Sequence, residues 1–404
     1  MTEWKTYKLG DICKRVCSGG TPKSTEPTYY DGDIPWLNTK EINFNRIYST
    51  ERCITQKGLD NSSAKWIDAN CVIVAMYGAT AAKVAINKIP LTTNQACCNL
   101  SIDEGIADYH YVYYWLCANY TELASLANGG AQQNLNAQQI KDFEISLPSL
   151  EEQRRIAGIL GAIDDKIENN RRVNTNLELQ AQALYKQWFV DFEFPNEDGK
   201  PYKSSGGKMV DSELGLIPEG WSVGDMYKYT KVIYGAPYKS SLFNEKKEGN
   251  PLIRIRDLKT FAPQYYTKEI LPNTEFVNAG DVVAGMDAEF VPCLWMGEKG
   301  VLNQRCCKFV GKQDSISNYY VMFLVKPELE FVQSYKTGTT VSHLGKADID
   351  KFVVVQPPLT VIEKFSKIAN ALLNNKANLA KENITLATLR DTLLPKLMNG
   401  EIKL

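Results

Sequence analysis

Between Ser149 and Phe192 the seam positions advance by alternate steps of four and three: Ile156, Leu160, Ile163, Ile167, Asn170, Asn174, Leu177, Ala181, Leu184 and Trp188. Steps averaging 3.5 residues keep one stripe facing a partner over many turns, which is the signature of a long coiled-coil helix. Ser149 with Glu152 three residues on forms a capping box at its start. About 40 residues rising ~1.5 Å each make a rod of roughly 60 Å. Asn170 and Asn174 sit near its midpoint, where buried amides fix register at some cost in stability. Such a rod needs a partner.

The partner is a second copy of the same pattern. Asn94-Gln95-Ala96-Cys97-Cys98 matches Asn303-Gln304-Arg305-Cys306-Cys307, 209 positions on, and that offset continues without a gap. Tyr111-Val112 falls on Tyr320-Val321, Gly129 on Gly338, Leu135 on Leu344, Ile140 on Ile349, Phe143 on Phe352 and Pro148 on Pro357. The seam maps onto Phe365, Ala369, Leu372, Lys376, Leu379, Asn383, Leu386, Arg390, Leu393 and Leu397. Upstream the register drifts but holds, with Pro35 to Ile42 answering Pro251 to Leu258 and Ala69 to Met76 answering Ala279 to Met286. The chain is a duplicated unit of globular domain plus helix.

The expected organisation is a domain over 1–148, a long helix over 149–193, a linker over 194–220, a second domain over 221–359 and a second long helix over 360–404. In the first domain, short apolar runs (Cys71 to Met76, Lys83 to Ile86, Ala96 to Ile102, Phe143 to Leu147) alternate with Gly, Pro, Asn and Thr, as strands and turns do. Tyr109 to Ala127 has helical spacing and stops at Gly129-Gly130. The second domain repeats this plan, with a helix from about Ser317 to Tyr335. The Pro, Gly and Ser content of 194–220 marks an exposed linker.

At 404 residues, 44% hydrophobic and 23% charged, the composition is that of an ordinary globular chain. No apolar run reaches the ~20 residues that cross a bilayer, and Met-Thr-Glu-Trp-Lys is not a signal peptide, so a cytoplasmic protein without membrane contact is expected. The ten cysteines are spread through apolar segments, and adjacent pairs in a strand face opposite sides. With only two histidines, His110 and His343, reduced buried thiols are expected and no metal site. A net charge of −1 leaves room for local basic patches but counts against a large surface that holds nucleic acid unaided.

The sequence holds no phosphate-binding loop, nucleophile elbow, dinucleotide fingerprint after a strand or methyltransferase Asn-Pro-Pro-aromatic motif, so no catalytic residue is assigned. Asp198-Gly199-Lys200 and Glu245-Lys246-Lys247 have nuclease-like spacing but lie in polar loop sequence and read as surface charge. What remains is a binding surface. Corresponding loops carry unlike hydrogen-bonding residues: Asn38, Thr39 and Lys40 against Arg254, Ile255 and Arg256; Tyr77 against Asp287; Gln132, Gln133 and Asn134 against Val341, Ser342 and His343. Arg reads guanine O6 and N7, Asn and Gln read adenine N6 and N7, and carboxylates accept from cytosine N4. Two similar scaffolds with unlike loops would read two unlike half-sites. Lys23, Lys40 and Lys239 are candidate phosphate contacts. A scaffold whose globular domains bind protein, with no DNA sequence preference, is the alternative.

Three stretches carry a family resemblance: Leu150-Glu151-Glu152-Gln153-Arg154-Arg155-Ile156 with Ile159-Leu160 and Ile163-Asp164; Trp188-Phe189-Val190-Asp191-Phe192; and Leu393-Leu394-Pro395-Lys396-Leu397-Met398-Asn399-Gly400-Glu401-Ile402. With the alternation of variable domain and long helix, they make the whole chain resemble the specificity subunits of type I restriction-modification systems. The resemblance implies an α+β fold with two pseudo-twofold-related target-recognition domains, of mixed β with helix, separated by an antiparallel coiled coil. It implies binding to double-stranded DNA, to two adenine-methylating modification subunits and to restriction subunits. It also implies no active site or cofactor on this chain, S-adenosylmethionine, ATP and magnesium belonging to the partners. Half-sites about one helical turn apart, ~34 Å, are compatible with the rod, whose length would set the spacer. Partner contacts are expected from rod surface outside the seam and from the rod ends, with Gln153, Arg154, Tyr185, Trp188 and Phe189 as candidates, Trp188 being on the seam itself.

Overall fold

The central run Val72-Ile73-Val74-Ala75 shows how the first domain is layered. In a strand successive side chains point to opposite faces, so a run without polar alternation must be covered on both. In the computed structural model, which describes residues 4–127, 134–336 and 342–404, Val72 and Val74 pack with Tyr111, Tyr114 and Leu116, whereas Ile73 and Ala75 pack with Leu37, Ile42 and Ile67. Cys97 and Cys98 divide the same way, Cys98 with the first group and Cys97 with the second.

The chain's contacts group into two units. One comprises Met1–Asp165 with Leu386–Leu404, the other Lys166–Thr385. In the first, a five-stranded sheet runs in the order Cys13–Ser18, Cys97–Ile102, Val72–Ala75, Val84–Asn87 and Asn45–Ile47, antiparallel except for its last pair. A four-stranded sheet runs Arg52–Ile54, Tyr30–Leu37, Leu91–Thr93 and Trp66–Ile67, with Tyr30–Leu37 parallel to Leu91–Thr93. Lys5–Lys8 pairs antiparallel with Glu144–Leu147, tying the start of the chain to the strand that feeds the central helix. The helix expected from Tyr109 to Ala127 is broken into Tyr109–Ala118 and Tyr120–Ser125. Asn119 at the break donates its side-chain amide to the Trp115 carbonyl, the local bond by which Asn competes with helix.

The second unit repeats the plan. Its four-stranded sheet runs Thr230–Tyr234, Cys306–Gly311, Val282–Gly285 and Cys293–Leu294, and Ser222–Asp225 pairs with Val353–Gln356 as Lys5–Lys8 does with Glu144–Leu147. Asn250–Ile253 lies parallel to Gly300–Leu302, as Tyr30–Leu37 does to Leu91–Thr93. Even the cores have diverged inside this shared topology. Asn99, buried with its amide on the Thr93 hydroxyl, is answered by Lys308, buried with its ammonium on Glu275, Asp281 and the Phe276 carbonyl. The stretch expected as an exposed linker is folded: Met209–Val210 pairs with Ile217–Pro218, Ile217 and Phe194 are buried, and Phe194 stacks between Tyr202 and Trp221.

The long helices run Leu150–Tyr185 and Leu359–Met398, and each unit pairs part of one with part of the other. In the first unit, Ile156, Ala157 and Leu160 pack with Leu397 and Met398, and Arg390 Nη1 donates to Asp164, which also accepts from the Tyr114 hydroxyl. In the second, Asn170 donates to Asn383 and Glu382, Lys376 pairs with Glu178, and Trp188 and Phe189 meet Phe365. Partner numbers fall as helix numbers rise, so the pairing is antiparallel within each unit. After Tyr185 the chain winds as one π-turn, Lys186–Val190. Its extra residue per turn lets neighbours Trp188 and Phe189 both face inward, at 5% and 7% exposure. No described helix is long and apolar enough to cross a membrane.

Candidate nucleic-acid interface

In each unit the sheet topology gathers the same set of loops at one end. In the first, the Leu37 carbonyl accepts from Asn94, the Thr93 carbonyl from Gly20, and the Ala96 carbonyl from Met76, while Leu135 donates to the Met76 carbonyl. The segments carrying Lys23, Asn38 to Lys40, Tyr77, Gln95 and Asn134 therefore converge, and Tyr77 and Asn134 form an antiparallel bridge. Close approach here requires glycine. A Cβ on Gly19 would lie 1.9 Å from the Thr93 oxygen, and one on the equivalent Gly235 would lie 2.1 Å from the Asn303 oxygen.

The second unit repeats the convergence bond for bond. Asn303 donates to the Ile253 carbonyl, Met286 to that of Arg305, and Leu344 to that of Met286. Asp287 and His343 form the bridge that answers Tyr77 and Asn134. The His343 Nδ1 lies 2.7 Å from Asp287 Oδ1, and Arg305 Nη1 lies 3.2 Å from Asp287 Oδ2. Arg254, Arg256, Gln304 and Arg305 line an open cavity of about 420 Å³ together with Tyr238 and Phe243. The Arg254 guanidinium lies over the Tyr265 ring at 4.6 Å, and its backbone N–H donates to Asp257. Burial raises the Asp257 carboxyl above its usual range, against the Arg254 and Gln264 backbone N–H groups, which lower it.

Not every candidate is free to face a ligand. Gln132 and Gln133 lie outside the described residues. Ser342 is buried, its hydroxyl donating to the Lys336 carbonyl, because the chain turns inward there to make the Asp287 bridge. Asn38 caps the turn Thr39–Glu41, its side-chain oxygen accepting from the Lys40 backbone N–H. Lys40 is exposed but its ammonium is paired with Glu51 at 2.5 Å. Lys23, Tyr77, Asn134, Lys239, Arg256 and His343 are exposed, and Thr39 and Arg254 half-buried. Gln304 and Arg305, which line the same cavity, are not among the candidates marked by the sequence, where they lead into the strand of the repeated Cys-Cys motif. The departure of Arg305 from Ala96 inside an otherwise matched motif was the available signal.

The helix candidates fare differently. Gln153 is 1% exposed: its oxygen accepts from the Asp108 backbone and its amide donates to the Pro148 carbonyl, so it fastens the helix start to its own domain. Tyr185, Trp188 and Phe189 form an aromatic cluster with Phe365. Gln153, Trp188 and Phe189 are interior groups and Tyr185 is half-buried, the seam and the π-turn having drawn the rings inward. Arg154 is exposed, lining a groove of about 420 Å³ in the first unit with Lys88 and His110.

The thiols beneath the sheets are inert by environment. Burial pushes Cys98 and Cys307 up to about 12, and among the described residues no three His, Cys, Asp or Glu side chains gather as metal ligands. The chemistry these ends offer is hydrogen bonding and charge, displayed on two scaffolds that share a core strand order.

A duplicated domain-plus-helix chain of this kind is also what the comparisons find. The chain belongs to the type I restriction modification DNA specificity domain family, whose model matches residues 1–179 and 219–388. It is 29% identical over 430 aligned positions to the type I restriction enzyme MjaIX specificity subunit of Methanocaldococcus jannaschii, covering 99% of this chain and 94% of that one. It is 20% identical over 476 positions to the type I restriction enzyme HindI specificity subunit of Haemophilus influenzae, covering both in full. The fold is similar to the crystal structure of a type I restriction-modification S subunit from M. genitalium, with a TM-score of 0.58 at 16% identity, over 98% of this chain and 96% of that one.

Proposed function

We propose that the chain is the DNA-specificity subunit of a type I restriction-modification complex, reading a bipartite, asymmetric target. The domains over 1–148 and 221–359 each read one half-site of double-stranded DNA through the loops gathered at the sheet end. The observation that carries this reading is the pairing of a shared loop arrangement with unlike chemistry: Tyr77 with Asn134 in one unit, Asp287 with His343 and Arg305 in the other. A scaffold that merely bound two like partners would have no use for that difference.

The chain itself carries out no reaction in this reading. Methyl transfer belongs to modification subunits holding S-adenosylmethionine, cleavage to restriction subunits using ATP and magnesium, and all work in the cytoplasm. Two identical modification subunits need two equivalent docking stripes, and the helices supply a pair. Arg155, Ile159 and Ala162 are exposed on the first helix, and Lys364, Ile368 and Ala371 are exposed at the repeat-equivalent positions of the second. Ile159 and Ile368 are 39% and 46% exposed, as apolar residues awaiting cover are.

The test is a gel-shift assay with the modification subunits present. Selective retention of DNA carrying one split sequence over shuffled DNA is expected. Equal retention of all sequences would favour the scaffold without sequence preference, and methylation or cutting by the chain alone would overturn its non-catalytic role.

A further inference from the structure

The cavity at the loop end of the second unit differs from its counterpart in one respect above all. At three matched positions the second unit has Arg254, Arg256 and Arg305 where the first has Asn38, Lys40 and Ala96. The first unit's one cation of the three, Lys40, is held by Glu51. The second unit's three arginines line one open cavity.

Arg305 is the most firmly placed of the three. Its backbone N–H donates to the Asn303 side chain at 3.2 Å and its carbonyl accepts from Met286 at 2.8 Å, so both sides of the residue are pinned. Its guanidinium is 58% exposed and is buttressed by Asp287, a carboxylate only 20% exposed that is fixed in turn by the bridge to His343. A carboxylate ion-paired with one Nη holds the guanidinium by charge and leaves its other N–H groups available to a ligand that offers two acceptors together. Holding the fork in advance also lowers the ordering cost on binding. Two parallel donors on a rigid plane complement the O6 and N7 acceptors that guanine alone presents together in the major groove.

We infer that the half-site read by the second unit contains a guanine recognised by Arg305, with Asp287 as the positioning residue, and that the half-site read by the first unit has no matching guanidinium-read guanine. This rests on the reading of the chain as a DNA-specificity subunit. Asp287 then acts as the brace for Arg305 and not as an acceptor from cytosine.

The experiment maps methylated adenines across the genome in cells carrying the complete system with wild-type chain, Arg305→Lys, Arg305→Ala or Asp287→Asn. Arg305→Lys keeps the charge and loses the fork. It is expected to lose about 5- to 100-fold discrimination at one guanine of one half-site, as Arg305→Ala does, with Asp287→Asn giving a smaller loss at the same base. The other half-site and the spacer should be unchanged, which also shows that the variant chain folds and assembles. Wild-type discrimination in Arg305→Lys, with methylation weakened uniformly in Arg305→Ala, would mean a phosphate contact and overturn the inference. Relaxation at a base other than guanine, or at both half-sites, would overturn it too. Absence of any split methylated motif dependent on the chain would remove the specificity reading itself and the inference with it.

Discussion

Gln153 shows how burial turns a residue of partner-like chemistry into a structural one. Its amide satisfies the Asp108 N–H and the Pro148 carbonyl at the point where the central helix leaves the first domain. Gln153→Leu leaves both groups buried without partners and should lower unfolding stability by about 2 kcal/mol, read by denaturant titration. Arg154→Ala, on the exposed neighbour, should leave stability within about 0.5 kcal/mol. His110 gives a pH signature. Burial, with Lys88 and Arg46 nearby, holds its pKa below the usual 6.5 despite the opposing pull of Asp108. A depressed folded pKa contributes stability above the unfolded value and loses it as pH falls through the folded value. The first unit should therefore weaken progressively from about pH 6.5 downward, and His110→Gln should flatten that slope in thermal unfolding across pH 5–7. At this scale the sequence was least legible. Chemical type marked Arg254, Asp287 and His343, but only the fold shows that Ser342 turns inward, that Asn38 is occupied as a cap, and that Arg305 stands beside Asp287.

The long helices were the most legible elements, because a seam period sustained over ten positions leaves few alternatives. Their polar seam positions find polar partners within the units: Asn170 the seam residue Asn383, and Lys376 and Arg390 the flanking carboxylates of Glu178 and Asp164. What periodicity could not show was the π-turn at Lys186–Val190, which adds one residue and so buries Phe189 beside Trp188. Short strands such as Trp66–Ile67 and Cys293–Leu294 were illegible for a different reason: two residues carry no period. The docking reading belongs to this scale. Ile159→Asp and Ile368→Asp should each leave the fold intact and remove capture of one modification subunit, and the double variant should remove both. Native mass spectrometry of the assembly counts them directly, and two subunits retained in the double variant would move the docking site elsewhere.

For the whole molecule, the duplication explains the most with the least. A 209-residue offset written in Asn-Gln-x-Cys-Cys, Tyr-Val and Pro becomes the same order of four core strands, a matched glycine pressed against a neighbouring backbone carbonyl, and the same bridge between two loops. Sequence exposed this because an uninterrupted offset survives even where most residues have changed. The contents of the two loop ends were freer to diverge, since loops that do not pack a core are constrained by what they bind. The central claim is that one polypeptide carries two unlike readers and directs a reaction performed by others. It is tested most directly by mapping methylated adenines genome-wide in cells that express the modification subunits with and without this chain. The account predicts a single split sequence with two unlike halves, methylated only when the chain is present. Methylation that persists without the chain, or a motif that is unsplit or has identical halves, would contradict it.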